Sequence, residues 1–173
     1  MKNNDSTTST CNSLLRGELS AIETYTHAQE KFPDHSGGDI LKRICASHQT
    51  SATALRDLID ASGDKAVTSS GPWGTFATAV EGMASLFGES PALLILQHGE
   101  VHGISEYEKA LEDKDLHESL KHLIRTELLP ALRDHLVELE HCKSMVAWDR
   151  WHQFPLTRDP WGISECPRIT SFL

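Results

Sequence analysis

The amino-acid sequence predicts an all-α protein, and three observations support this fold class. Apolar residues recur every three or four positions along four long stretches, which is the spacing of one helix face. Clusters of Gly, Pro and Ser separate these stretches, as expected between helices. No segment rich in Val, Ile and Thr alternates between apolar and polar residues, so strands are not predicted. At 173 residues, the chain is long enough for one domain with a sizeable core.

The first two predicted helices form a hairpin. Residues 1 to 10 are polar and are predicted to be a disordered N-terminal tail. The first helix then runs to Pro33, and the second closes at Gly63. The apolar face of the first helix is predicted to contain Leu14, Leu15, Glu18, Ala21, Ile22, Tyr25, Ala28 and Phe32.

A long crossover leads to a second hairpin. Residues 64 to 74 are rich in turn-forming residues, and a short extra helix is predicted before Gly88. The third long helix starts near Ser90 and the fourth near Asp115. Pro130 predicts a kink in the fourth helix, because proline lacks a backbone donor and crowds the preceding turn. Two hairpins joined in this way predict a ferritin-like antiparallel four-helix bundle.

The bundle is predicted to span residues 11 to 144 and to be followed by an extension over residues 145 to 173. The extension is expected to be irregular and to pack on the bundle or on a partner subunit, which predicts a homo-oligomer. Its large aromatic residues are Trp148, Trp151, Phe154, Trp161 and Phe172.

Charge and composition exclude several partners. The formal net charge is -9, and the basic residues form no run, so nucleic acid is not an expected partner. The N-terminus lacks the apolar segment of a signal peptide, and the longest apolar run, residues 92 to 96, is too short for a bilayer. We therefore expect a cytoplasmic protein without a membrane partner. The four scattered cysteines are expected to be free thiols.

One sequence phrase occurs twice, which indicates an internal duplication. It reads Gly-Glu-x6-Tyr-x2-Ala and lies at residues 17 to 28 and 99 to 110, in the first and third predicted helices. The Glu and Tyr of each copy are seven positions apart, so they lie nearly in line on one helix face. Each copy is followed by a helix with a histidine on its apolar face, His48 and His135.

The four inward-facing polar residues are Glu18, His48, Glu100 and His135, and they are the candidate metal ligands. A carboxylate among apolar side chains is costly to bury unless a positive or hydrogen-bonding group meets it. Two acids and two imidazoles can provide the ligands of a divalent metal, and iron, zinc and manganese are all candidates. The residues expected to support these ligands are Tyr25, Tyr107 and Cys45.

Two other interpretations stay open. The same four residues can pair directly and fix the helix register of a non-enzymatic structural or stress-related interaction protein, with no cofactor. A cavity between the hairpins can instead hold a small molecule of unknown identity, because the small residues Gly17, Gly99, Gly103 and Ala52 lie near the polar centre. No catalytic residue and no reaction is assigned by the sequence, since motifs for hydrolysis or phosphate transfer are absent.

Several motifs resemble one known family. They are both copies of Gly-Glu-x6-Tyr, residues 69 to 74 with Glu81 and Gly82 following, and His135. The family is DUF2383, a group of uncharacterised bacterial ferritin-like proteins, and the resemblance covers roughly residues 10 to 143. It implies a four-helix ferritin-like bundle without an established activity.

Ferritin-like di-iron proteins use lone glutamates on two helices and a Glu-x-x-His motif on the other two. Cys45 and Leu132 stand here in place of the two motif glutamates, so the bridging acids are absent. One metal is therefore expected rather than two. Cys45 and His102 are possible additional donors, but Cys45 can instead be a small core residue and His102 can lie off the apolar face.

Overall fold

The computed structural model describes residues 2–31, 37–71 and 89–153, and the described chain is all-helical without a strand. This confirms the predicted all-α class. A π-helical turn, Ile124–Leu128, joins the last two helices. The helices are α1 (Lys2–Lys31), α2 (Gly38–Ala61), α3 (Glu89–Glu112), α4 (Glu118–Leu123) and α5 (Leu129–Gln153). Within these ranges, no helix has both the length and the apolar character needed to cross a bilayer.

The long helices pack as two antiparallel pairs, α1 with α2 and α3 with α5. The side-chain contacts that define the opposite directions within the pairs are Cys11 to Leu55, Gln29 to Leu41, Gln97 to Glu140 and Arg133 to Glu108. The two pairs meet through α1 with α3 and through α2 with α5. Because α3 is antiparallel to α1, helices α2 and α3 point the same way, and a long connection is needed between them.

Two apolar clusters fill the interior, with a polar layer between them. One cluster contains Leu15 of α1 and Leu55 of α2, and the other contains Leu41 of α2 and Leu139 of α5. Each of the four long helices runs from one cluster to the other, and a buried Glu or His interrupts its apolar face in between. The buried Glu or His follows the same three- to four-residue spacing as the apolar core residues, so the sequence pattern could locate it.

Helix α1 starts at Lys2, whereas the sequence predicts a disordered tail over residues 1 to 10. The Thr8 hydroxyl donates a hydrogen bond to Asp64, and the Thr7 hydroxyl accepts one from the backbone N–H of His117 at 3.2 Å. These partners lie just beyond the ends of other helices. Apolar periodicity does not report such polar contacts, so the pattern placed the start of the helix too late.

The irregularity predicted at Pro130 takes the form of the π-helical turn. The N–H of Leu129 bonds to the carbonyl of Ile124, five residues earlier, directly before the proline. Proline cannot donate to the preceding turn, and a π turn is one way in which a helix accommodates that loss. Beyond the turn, Leu132 and His135 are both buried.

Helix α5 continues to Gln153, beyond the predicted end of the bundle at residue 144. Trp148 and Trp151 therefore lie in a helix, whereas the sequence predicted an irregular segment at these positions. The rest of the predicted extension, residues 154 to 173, lies outside the described residues. The short extra helix predicted in the crossover also lies outside them.

Candidate metal centre

The polar layer is built from one residue of each long helix. Glu18 comes from α1, His48 from α2, Glu100 from α3 and His135 from α5. Each of them is no more than 4% exposed. The structure therefore brings together the four candidate ligands that the sequence selected.

His48 lies between the two glutamates and contacts both. Its Nδ1 atom is 2.8 Å from Glu18 Oε2, and its Nε2 atom is 3.1 Å from Glu100 Oε1. The Nδ1 atom of His135 is 3.2 Å from Glu100 Oε2. The two imidazole rings are tilted against each other, with their centroids 4.8 Å apart.

The two tyrosines of the repeat cross over between the copies. Tyr25 donates its hydroxyl hydrogen to Glu100 Oε1 at 2.7 Å, and Tyr107 donates to Glu18 Oε1. Each glutamate therefore accepts hydrogen bonds from a tyrosine of the other copy and a histidine of its own. The arrangement has an approximate two-fold symmetry that follows from the duplication.

This symmetry breaks at one atom, the Nε2 of His135. The equivalent nitrogen of His48 bonds to Glu100, whereas the His135 atom is buried and has no hydrogen-bond partner among the described residues. A buried polar atom without a partner costs stability, and such atoms are few in folded proteins. The nitrogen is therefore a candidate ligand atom.

The layer carries both signs of charge. Burial favours a lower pKa for His48, but Glu18 and Glu100 outweigh burial and raise the pKa to about 10. Burial favours a higher pKa for Glu100, but hydrogen bonds from His135 and His48 outweigh it and lower the pKa to about 2. In the metal-free protein at neutral pH, Glu100 is therefore ionised and His48 is protonated.

The two tyrosine hydroxyls stay protonated. Burial, followed by the charge of Glu100, raises the pKa of Tyr25 well above its usual value, and burial together with Glu18 does the same for Tyr107. Both hydroxyls therefore serve as neutral donors that hold the carboxylates in place.

Three of the four residues form a compact donor group. His48, Glu100 and His135 each offer one ligand atom, and these atoms lie within 4.8 Å of one another. Glu18 is not in that group, because it contacts His48 through Nδ1 while Nε2 faces Glu100. A carboxylate on the far nitrogen is the usual way to orient a ligand histidine.

Cys45 lies apart from the donor group. Its sulfur is 3.9 Å from the Ile22 carbonyl oxygen and 3.9 Å from the Thr26 hydroxyl, both on α1. The side chain belongs to the apolar cluster around Leu41. This placement agrees with a small core residue, and the hydrogen-bond partners of the sulfur lie on α1 and not among the Glu and His residues of the layer.

A cleft of about 90 Å³ lies between α1 and α3 and reaches the polar layer. Among its lining residues are Glu18, His48 and Glu100, and also His102 and Glu106 of α3. The sequence did not assign Glu106, and it left His102 open as either an additional donor or a residue off the apolar face. Their spacing from Gly99, three and seven positions, indicates a shared helix stripe that could have been recognised.

The fold and the layer define an all-helical protein with a buried carboxylate–imidazole centre. The chain belongs to the family described as Domain of unknown function (DUF2383), whose model matches residues 6–113, more than half of the chain. This range contains Glu18, His48 and Glu100 and ends before His135. Comparisons with curated proteins and with solved structures gave no match.

We expect the stability of the metal-free protein to depend on pH through His48 and Glu100. The contribution of Glu100, whose pKa falls from 4.5 to about 2, is present above pH 4.5 and is lost as the pH falls toward 2. The contribution of His48, whose pKa rises from 6.5 to about 10, is present below pH 6.5 and is lost as the pH rises toward 10.

Urea unfolding of chelator-treated protein from pH 6.5 to 10 measures the loss of stability that is expected from His48 at alkaline pH. His48→Gln should lower the free energy of unfolding by about 3–5 kcal/mol at pH 6.5 and weaken the alkaline decline, because it breaks a buried ion pair. The matched control is His122→Gln, which changes an exposed histidine and should keep the wild-type decline. Equal slopes for His48→Gln and wild type would contradict the assigned charges.

The tyrosine hydroxyls make a second prediction. Tyr25→Phe and Tyr107→Phe each remove one donor from a buried carboxylate, so each should cost about 1–3 kcal/mol of unfolding free energy. The two costs should be similar, because the contacts are related by the repeat. A cost for only one variant would show that the crossed arrangement does not hold in solution.

Proposed function

We propose that this protein binds one divalent metal ion inside a ferritin-like four-helix bundle, through His48, Glu100 and His135. The observation that carries the proposal is the buried Nε2 atom of His135, which has no hydrogen-bond partner among the described residues, in a residue that belongs to a compact donor group. A metal ion would use this lone pair and remove the cost of leaving it unpaired.

The donor chemistry narrows the choice of metal. Two imidazoles and one carboxylate, with further positions open, are typical of catalytic zinc and of non-haem iron(II). Manganese prefers oxygen ligands and is the less suitable of the three predicted metals. Glu18 would orient His48 through Nδ1, and Tyr25 would orient Glu100, in the manner of outer residues at known metal centres.

The ferritin-like assignment is supported by the helix directions. Helices α2 and α3 run in the same direction, so two hairpins are joined by a long connection, as in ferritin-like folds. The positions of the bridging acids hold Cys45 and Leu132, and neither side chain supplies a carboxylate. A mononuclear centre therefore suits this chain better than a di-iron centre.

The second candidate function is a structural one without metal, and the short contacts favour it. Glu18, Glu100 and the two histidines are already within hydrogen-bond distance, at 2.8 to 3.2 Å. Such a network can fix helix register in an interaction protein. It leaves the His135 nitrogen without a use, which is why we rank it second.

Metal analysis of protein purified without chelator tests the proposal. Wild type should hold close to one equivalent of zinc or iron, and His135→Phe, which replaces the imidazole by an aromatic ring without nitrogen, should bind at least about 10-fold more weakly. The control is His141→Ala, an exposed histidine on the same helix, which should behave as wild type. Negligible metal in wild type and in His135→Phe, with both folded by circular dichroism, would favour the structural function.

A cytoplasmic location and a homo-oligomer stay predictions of the sequence. Exposed apolar side chains on α3 and α5, Leu94, Val101 and Val137, are compatible with contacts to another copy. The mass of the full chain in solution, measured by light scattering, tests the oligomer directly.

A further inference from the structure

We propose that the cleft between α1 and α3 is the passage by which a hydrated divalent cation reaches the buried centre, and that Gly17 and Gly99 keep it open. The inference rests on the proposed function, because it describes how the same centre is loaded. It assigns a role to the first residue of both Gly-Glu motifs, which the metal ligands alone leave unexplained.

A buried centre needs a route from solvent. The three proposed ligands are at most 4% exposed, so an ion cannot reach them directly. On the α2–α5 side, an ion pair between Arg43 and Glu138 at 3.1 Å links the two helices. The α1–α3 cleft reaches the polar layer, since its lining includes His48 and Glu100.

The two glycines are poor choices for their helices unless the space beside them matters. Glycine is the least favourable residue inside a helix after proline. At Gly17 and at Gly99, an added Cβ would meet no atom within 4 Å, so packing does not require glycine at either position. Gly103 differs, because its Cβ would lie 2.7 Å from Leu132 Cδ2. The open space at the first two positions is part of the cleft.

Charge and size both suit a hydrated cation. The described lining contains three carboxylates, Glu18, Glu100 and Glu106, and no lysine or arginine. The lining also includes the imidazoles of His48 and His102, and its three carboxylates favour cations over anions. The cleft of about 90 Å³ is well above the roughly 15 Å³ that a cavity needs to hold one water molecule, so it has room for water.

The test compares how fast and how completely cobalt(II) binds. Chelator-treated wild type and the double variant Gly17→Leu/Gly99→Leu are mixed with Co²⁺, and its visible absorption is followed in a stopped-flow instrument. We expect uptake to slow at least about 10-fold, with the same final cobalt content, because leucine fills the cleft without replacing a ligand. Gly17→Ala/Gly99→Ala should give an intermediate rate and guards against poor folding of the leucine variant.

Gly38→Leu is the matched control, because Gly38 also has open space at its Cβ but lies at the start of α2, outside the cleft. It should take up cobalt at the wild-type rate. Unchanged rates in both cleft variants, or a lower final cobalt content, would overturn the passage while leaving metal binding intact in wild type. No uptake by wild type at equilibrium would instead overturn the proposed function.

Discussion

The burial of two carboxylates is the constraint on which the rest of this structure depends. Glu18 and Glu100 lie in an apolar interior, where an uncompensated charge would cost several kcal/mol. Their compensation comes from every long helix: His48 on α2, His135 on α5 and a tyrosine on each glutamate-bearing helix. All four helices must therefore keep one register, because sliding any of them by a turn would leave a charge without its partner.

Duplication explains the symmetry of the layer, and geometry explains its asymmetry. Each glutamate accepts a bond from its own histidine and from the tyrosine of the other copy. Only one imidazole can lie between both carboxylates, and His48 occupies that place. His135 is left with a buried nitrogen and no partner in the described chain. The buried carboxylates and this nitrogen lie in one layer, which is a combination that a cation would satisfy.

The sequence predicted the residues of the layer and, as one alternative, their direct Glu–His pairing, but not the crossed tyrosine contacts. The repeat at residues 17 to 28 and 99 to 110 selected both glutamates and both tyrosines, because their spacing alone puts them on the core face. The crossing of Tyr25 to Glu100 depends on the packing of α1 against α3, which no local pattern encodes. Direct pairing of Glu18 with His48 was one alternative that the sequence left open, whereas the helical start at Lys2 was not predicted because it depends on distant polar contacts.

The order of the two residues in the Gly-Glu motif has a geometric reason. Neighbours on an α-helix are about 100° apart, so a glutamate that faces the core puts the preceding residue toward one side of that face. On α1 and α3 these preceding positions, Gly17 and Gly99, both line the same cleft. Any larger side chain there would narrow the gap beside a buried carboxylate, although it would strengthen the helix itself. Helix propensity therefore favours a larger residue at this position, whereas access to the centre favours glycine. This chain has glycine in both copies.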